Sequence, residues 1–491
     1  MSQAASRSQE RWFVLPKKFL FAVTLLLLIV PGVALAQSLQ TLLHQPPDGA
    51  FLSFLLTDGT VMFQGNGLSD WWKLTPDKTG SYVNGTWSQL ASLPSGYVPD
   101  AFASAVLADG RVVIVGGEYN LGNFALTNLG AIYDPKANTW TALNPPKGWN
   151  YIGDSPSSVL PNGKFMVGNK LTKQMRLLNP ATLTWTTVPN KGKKDFNAEE
   201  GWTLLPDGTI LTMDVKSAPN SEIYSPTAKK WASAGSTIVD LHSPTTVQGC
   251  LHYGGGCYYP PGEIGPAVLR ADGTVFATGS ASNNNTGPGH TAIYNPSSRT
   301  WTVGPDFPNG DNAGDSFAAL LPNGNVLVLG NSGQLYEFDG AKLNPTLVAV
   351  GSLLVVPTGQ VIVAYGGVEV YTSTGNYLPA WAPTITSYPP SVMHGSTYQI
   401  SGTQFNGLSQ AAAFGDEYET NTNYPLVRIT NHASGHVFYA KTHDHSTMAV
   451  ATGSAIVSTN FDVPAGIETG ASSLEVVANG IPSASVSITV N

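Results

Sequence analysis

Seven short segments between residues 48 and about 380 follow one plan: an apolar stretch, an Asp-Gly or Asn-Gly turn, and a second apolar stretch. The turns are Asp58-Gly59, Asp109-Gly110, Asn162-Gly163, Asp207-Gly208, Asp272-Gly273 and Asn323-Gly324, with Thr358-Gly359 as a degenerate seventh. Such dipeptides suit two-residue hairpin turns, whose central positions take positive φ. Four units add a second signature: Ile132-Tyr133-Asp134-Pro135 with Trp140, Leu177-Leu178-Asn179-Pro180 with Trp185, Ile223-Tyr224-Ser225-Pro226 with Trp231, and Ile293-Tyr294-Asn295-Pro296 with Trp301. Each places the tryptophan five residues after the proline.

Two hairpins per unit make a four-stranded sheet, which cannot bury both faces alone. Radial stacking of such sheets solves that problem, so the repeat predicts an all-β chain with a seven-bladed β-propeller over residues 37–382, six blades being the other count because the last two units lack the tryptophan at its usual spacing. The interval between Asp207 and Asp272 is long and must hold an insertion. After Trp381-Ala382-Pro383 the repeat stops, and short strands continue to Asn491. Their spacing predicts an immunoglobulin-like β-sandwich over residues 383–491.

Residues 1–36 read differently. Arg11, Lys17 and Lys18 precede an apolar run from Phe19 to Val30, followed by Ala34-Leu35-Ala36. This is the pattern of a secretory signal cleaved before Gln37; an uncleaved anchor is the other reading, although the run is short for a span of about 20 residues. The expectation is a secreted or periplasmic protein, with no membrane attachment after cleavage and a monomer by default. Charged residues make up 11% of the chain and the net charge is −8, with no basic run after the leader. Nucleic acid is therefore not an expected partner. The only cysteines, Cys250 and Cys257, lie in the long interval. In an exported chain they suit a disulfide, with metal binding alongside His252 as the weaker reading.

Segments such as Asp109-Gly110-Arg111-Val112-Val113-Ile114-Val115-Gly116-Gly117 give the chain a kelch character. The whole arrangement resembles the galactose oxidase-like family, a secreted kelch propeller followed by an early-set immunoglobulin-like domain. That resemblance implies a copper-radical site built from tyrosines, a Tyr-Cys crosslink and histidines, one of them in a C-terminal Thr-His motif. Thr442-His443 is similar to that motif. The propeller ligands do not match: Gly314-Asp315 and Ala349-Val350 stand where a Tyr-His pair belongs, and Ala101 stands where a tyrosine belongs. Copper is therefore not expected.

Acids occupy the places counted back from the turns. Asp100, Asp154, Glu199 (with Glu200 beside it), Glu263 and Asp315 each lie eight or nine residues before a Gly-turn. In a propeller these positions meet around the axis. The reading is a ring of carboxylates able to bind a divalent cation such as Ca²⁺ or to supply an acid/base pair, with Asp154, Glu199, Asp315 and His443 as candidate metal ligands. The alternative is that acids merely favour loops entering strands. In an extended His443-Asp444-His445 the two imidazoles would share one side, with Asp444 orienting one. Tyr253, Tyr258, Tyr259 and Trp149 offer stacking surfaces. The expected function is binding of a glycan or extracellular protein on the propeller face. The alternative is a metal- or carboxylate-dependent saccharide hydrolase or lyase, with a copper-radical oxidase less favoured.

Overall fold

The computed structural model describes residues 36–243, 251–253, 256–258, 262–283 and 286–491. Cys250 lies outside the described residues, and so does the side chain of Cys257, so the expected disulfide falls there. Residues 36–491 form one compact unit. The chain is all-β, and its described residues contain seven antiparallel sheets in sequence order, six of four strands and one, the sixth, of five because Ala412–Ala413 adds an edge strand. The first comprises Ser53–Leu55, Val61–Gln64, Trp71–Thr75 and Thr86–Leu90. In the seventh, the fourth strand is Ser38–Thr41 from the other end of the chain, paired with Gly367–Thr372. First strands touch from sheet to sheet: Ser352–Val355 meets Ser53–Leu55, Ala103–Val106 meets Ser157–Val159, and Ala267–Leu269 meets both Thr203–Leu204 and Ala318–Leu320. Burial falls outward, from the fully buried Ser53–Leu55 and Val61–Gln64 to the largely exposed Thr86–Leu90.

The Gly-turns are not the expected two-residue type. Only the glycine has positive φ, and its amide donates to the carbonyl three residues back, as in Gly59 to Leu56 and Gly110 to Leu107. This is a type I turn closed by a left-handed glycine. The preceding Asp or Asn is fixed by its side chain instead, which accepts the amide two residues on: Thr60 to Asp58 Oδ1 at 3.0 Å, Lys164 to Asn162 Oδ1 at 3.1 Å.

The tryptophans join sheets. Each pairs across its own sheet, as in Tyr133 with Trp140 and Tyr294 with Trp301. In three of the four the indole N–H then donates to a carbonyl of the preceding sheet's outer edge: Trp140 to Ala91 (3.0 Å), Trp185 to Asn144 (2.8 Å) and Trp301 to Ala234 (3.1 Å). Trp87 does the same to His44 at 2.9 Å, linking the first sheet to the chain that follows Ser38–Thr41.

Beyond Pro383 a single nine-stranded sheet curls so strongly that its edge strand Thr384–Ser387 touches Gly470–Ala478, with four strands between them in the sheet. It wraps a core of Ile400, Phe405, Val427, Ile429, Phe461 and Leu474. Between Thr397–Thr403 and Leu426–Asn431 the chain leaves this sheet and runs along the first strands of the others. Ala412–Ala413 pairs with Ala318–Leu320, Gln410 Oε1 accepts the Leu204 amide (2.8 Å), Asn421 Oδ1 accepts the Val106 amide (3.3 Å), and the Tyr424 hydroxyl donates to the Leu55 carbonyl.

Candidate functional site

Just before the first strands the backbone turns sharply. Ala101, Glu199 and Asp315, each eight residues before its turn, have positive φ of 52°, 55° and 47°, and Gly153 and Gly262 do the same in the sheets between. Left-handed backbone is costly for a residue with a Cβ, and such outliers cluster at functional sites. These kinks surround a cavity of about 510 Å³. Asp100, Asp154, Glu199, Glu263 and Asp315 all line it.

Three further carboxylates join them. Glu118 follows the second strand of the second sheet, and Asp416 and Glu417 come from the segment that leaves the C-terminal sheet. Gly201 makes room for that segment, since a Cβ there would stand 2.3 Å from the Gly415 carbonyl oxygen. One carboxylate oxygen from each of Asp154, Asp416 and Glu417 lies within 4.8 Å of the others, and the same holds for Glu199, Glu263 and Asp416. Lys170 is buried against this group, ion-paired with Asp154 and, at 2.7 Å, with Glu199 Oε1. Asp416 is 2% exposed, and its oxygens face the carboxyl groups of Glu417 and Glu199, with no other hydrogen-bond partner among the described residues.

Burial, followed by mutual repulsion, drives these carboxyls towards their protonated forms. Asp154 is pushed well above the usual carboxylate range by burial and by Glu199 and Glu118, against the opposing pull of Lys170. Burial and Glu417 do the same to Asp416. Burial and neighbouring acids raise Asp315 to about 7 and Glu263 to about 11, and burial raises Glu417 to about 8.

Aromatic rings form the remaining wall. Tyr418 is buried, donates its hydroxyl to Asp100 Oδ1 and accepts the Ala101 amide at 2.6 Å. Phe51 stands edge-on to Tyr418 and to Tyr365, with centroids 5.7 and 6.0 Å apart. Tyr365 remains 65% exposed at the rim.

Other expected residues lie elsewhere. Glu200 neighbours Glu199 in sequence, yet it pairs with Lys193 at 2.7 Å in a separate buried cluster. His443 and His445 do not line the cavity. Asp444 has φ of 52°, so the segment is not extended and the imidazoles diverge. His443 pairs with Asp444 and Asp462, whereas His445 is buried against Tyr424 and bonds Thr459 at 2.9 Å. Burial first, then His443, lowers His445 to about 3 and keeps it neutral. Trp149 is packed as well, its indole on Gln174 and its face under Arg176. The side chains of Tyr253, Tyr258 and Tyr259 are outside the described residues.

The donors do not fit a copper-radical centre: the cavity offers carboxylates and phenols, with no imidazole or thiol among its described lining. Hard oxygen donors suit Ca²⁺ or Mg²⁺ instead. Glu118 and Lys170 were legible by counting forward, nine residues from Asp109 and eight from Asn162. For Asp416-Glu417 the signal was an acidic pair inside an acid-poor chain.

No protein-family model matches the chain, and no curated protein matches it. Solved structures do. One is a fungal alcohol oxidase of the AA5 family in complex with copper, at TM-score 0.47 and 13% identity over 92% of this chain and 98% of that one. A second is virginiamycin B lyase from Staphylococcus aureus, at 0.46 and 11% over 69% and 99%. A third is an extracellular domain of a one-component system from B. thetaiotaomicron, at 0.45 and 10%; this chain is covered to 93% and spans 58% of that one.

Proposed function

We propose that residues 37–382 form a seven-bladed kelch-type propeller, that residues 383–491 form an immunoglobulin-like domain, and that the protein is exported and binds a glycan through a divalent cation held at the propeller axis. The architectural reading rests on the seven sheets in chain order and on the contacts between their first strands. The functional reading rests on one observation: eight carboxyl groups line one cavity with the Lys170 ammonium buried beside them, and among the described residues the buried Asp416 finds only other carboxyl groups as hydrogen-bond partners. Burying unpaired carboxylates costs far more than folding can spare, so the cavity takes up protons or a cation. A Ca²⁺-type ion accepts six to eight oxygens and tolerates irregular geometry, which leaves positions open for ligand hydroxyls. Phe51 and Tyr365 at the rim give a sugar ring an apolar face to stack on.

The test is calorimetric titration of the protein with Ca²⁺, followed by soluble saccharides with and without EDTA. Binding of Ca²⁺ that D416N abolishes, and saccharide binding that EDTA abolishes, is the expected result. A protein that binds no cation at neutral pH refutes the reading. One further observation favours a second reading, a saccharide hydrolase. Glu263 and Asp315 are close and unequally raised, to about 11 and about 7, so one stays protonated while the other ionises, as a general acid and its partner require. Release of a chromophore from aryl glycosides, lost in E263Q, would choose that reading.

A further inference from the structure

A second buried acidic cluster lies apart from the axial cavity, where the chain passes from the third sheet to the fourth. Asp195 and Glu200 sit in the connection between Thr184–Val188 and Thr203–Leu204. Asp214 follows Ile210–Met213, and Glu222 lies on Asn220–Ser225. One carboxylate oxygen from each of Asp195, Glu200 and Asp214 lies within 4.8 Å of the other two.

Most of this cluster is already satisfied. Lys193 bonds both oxygens of Glu200, at 2.7 and 2.8 Å, and Glu222 Oε2 at 2.9 Å. Asp195 Oδ2 accepts the amides of Lys216 and Ser217, and Glu222 Oε1 accepts that of Lys194. Asp214 differs. It is 3% exposed, and its Oδ1 is buried without a donor among the described residues. Lys173 and Lys216 lie over the Phe196 ring, and of these Lys173 pulls on Asp214 more weakly than Lys193 does.

The seam is also short of its usual joint. At four other sheets an indole donates to the preceding sheet's edge, but here Trp231 Nε1 is buried without an acceptor among the described residues, and Lys193 lies over its ring at 4.7 Å. We propose that Asp195, Glu200 and Asp214 form a structural site for a Ca²⁺-type cation that fastens the connection to the fourth sheet. The ion supplies the positive charge that Asp214 Oδ1 lacks. It also ties the connecting loop to the end of Ile210–Met213, as the missing indole bond would have tied the edge.

Trp231 provides a local reporter. Terbium, which takes the same oxygen donors as calcium, should emit on tryptophan excitation when added to EDTA-stripped protein, and Ca²⁺ should displace it. D214N and E200Q should each weaken terbium binding about tenfold or more, the scale of loss when a metal-site partner is removed. D416N, which disables the axial cavity, should retain calcium-displaceable emission that W231F lowers, so failure there and failure here are separable. Tryptophan-excited emission should fall in W231F while calcium binding persists. Absence of emission from the wild-type protein, or emission that calcium does not displace, overturns the proposal. So does emission that survives both D214N and E200Q. The calcium competition in D416N, where the axial site is disabled, decides the matter even if D214N or E200Q fails to fold.

Discussion

Glu417 gives the sharpest quantitative handle on the axial cavity. Burial raises its carboxyl from 4.5 to about 8, so the folded protein holds a proton there that the unfolded chain releases at lower pH. At ~1.36 kcal/mol per unit, that shift corresponds to on the order of 5 kcal/mol. The sign follows from proton uptake: between pH 4.5 and about 8 the folded state binds more protons than the unfolded state, so stability is fully present below 4.5 and is lost as pH rises through 8. Each such group contributes a slope of about −1.4 kcal/mol per pH unit inside its window. Urea denaturation in EDTA at pH 5 to 8 should therefore show wild-type stability falling with pH, and E417Q should remove about one proton's worth of that slope. At pH 8 the E417Q protein should be the more stable of the two in EDTA. Calcium at about a hundred times its dissociation constant should then restore about 2.7 kcal/mol to wild type and markedly less to E417Q. A stability that is flat or rising over this range in EDTA, or identical slopes for the two proteins, would show that the cavity carries no such proton burden.

Four other outcomes are expected. Replacing Lys170 with Met strands Asp154 and Glu199 in a buried setting and should cost about 3–5 kcal/mol by thermal or urea denaturation. Trp140→Phe removes the indole bond to Ala91 and should cost about 1 kcal/mol, with the ring contact to Tyr133 retained. Gly201→Ala forces a methyl against the Gly415 carbonyl; it should destabilise by about 1–3 kcal/mol and weaken calcium binding by displacing Asp416. His443→Ala, by contrast, should leave calcium affinity unchanged in titration, because His443 faces Asp444 and Asp462 away from the cavity.

The repeat was readable because its parts are local. An Asx-Gly turn and a tryptophan five residues after a proline need only a dozen neighbouring residues, and the sheet pairings follow their order along the chain. Counting back from the turns also worked for Asp100, Asp154, Glu199, Glu263 and Asp315, since the distance from the turn to the mouth of the first strand is fixed by strand length. It failed for Glu200 because adjacent residues at a left-handed kink point to different surroundings. His443 and His445 came instead from the Thr-His resemblance and from an extended reading of their segment, and the structure places both outside the cavity lining. The segment that reaches the cavity is 404–425, marked locally by nothing but the acidic pair Asp416-Glu417: its other polar residues are buried because distant first strands supply their partners.

The left-handed backbone at Asp315 has a practical corollary for protein engineering. A survey guided by stability alone would put glycine there, gaining about 1–2 kcal/mol of relieved strain. The change would look like an improvement in a melting experiment, and it would delete a carboxylate from the cavity. At Glu199 the same relief is offset by the loss of a buried partner of Lys170. Thermal selection acting on this chain would thus tend to remove Asp315 first, and a hardened variant should be tested for the proposed cation binding before its melting temperature is trusted.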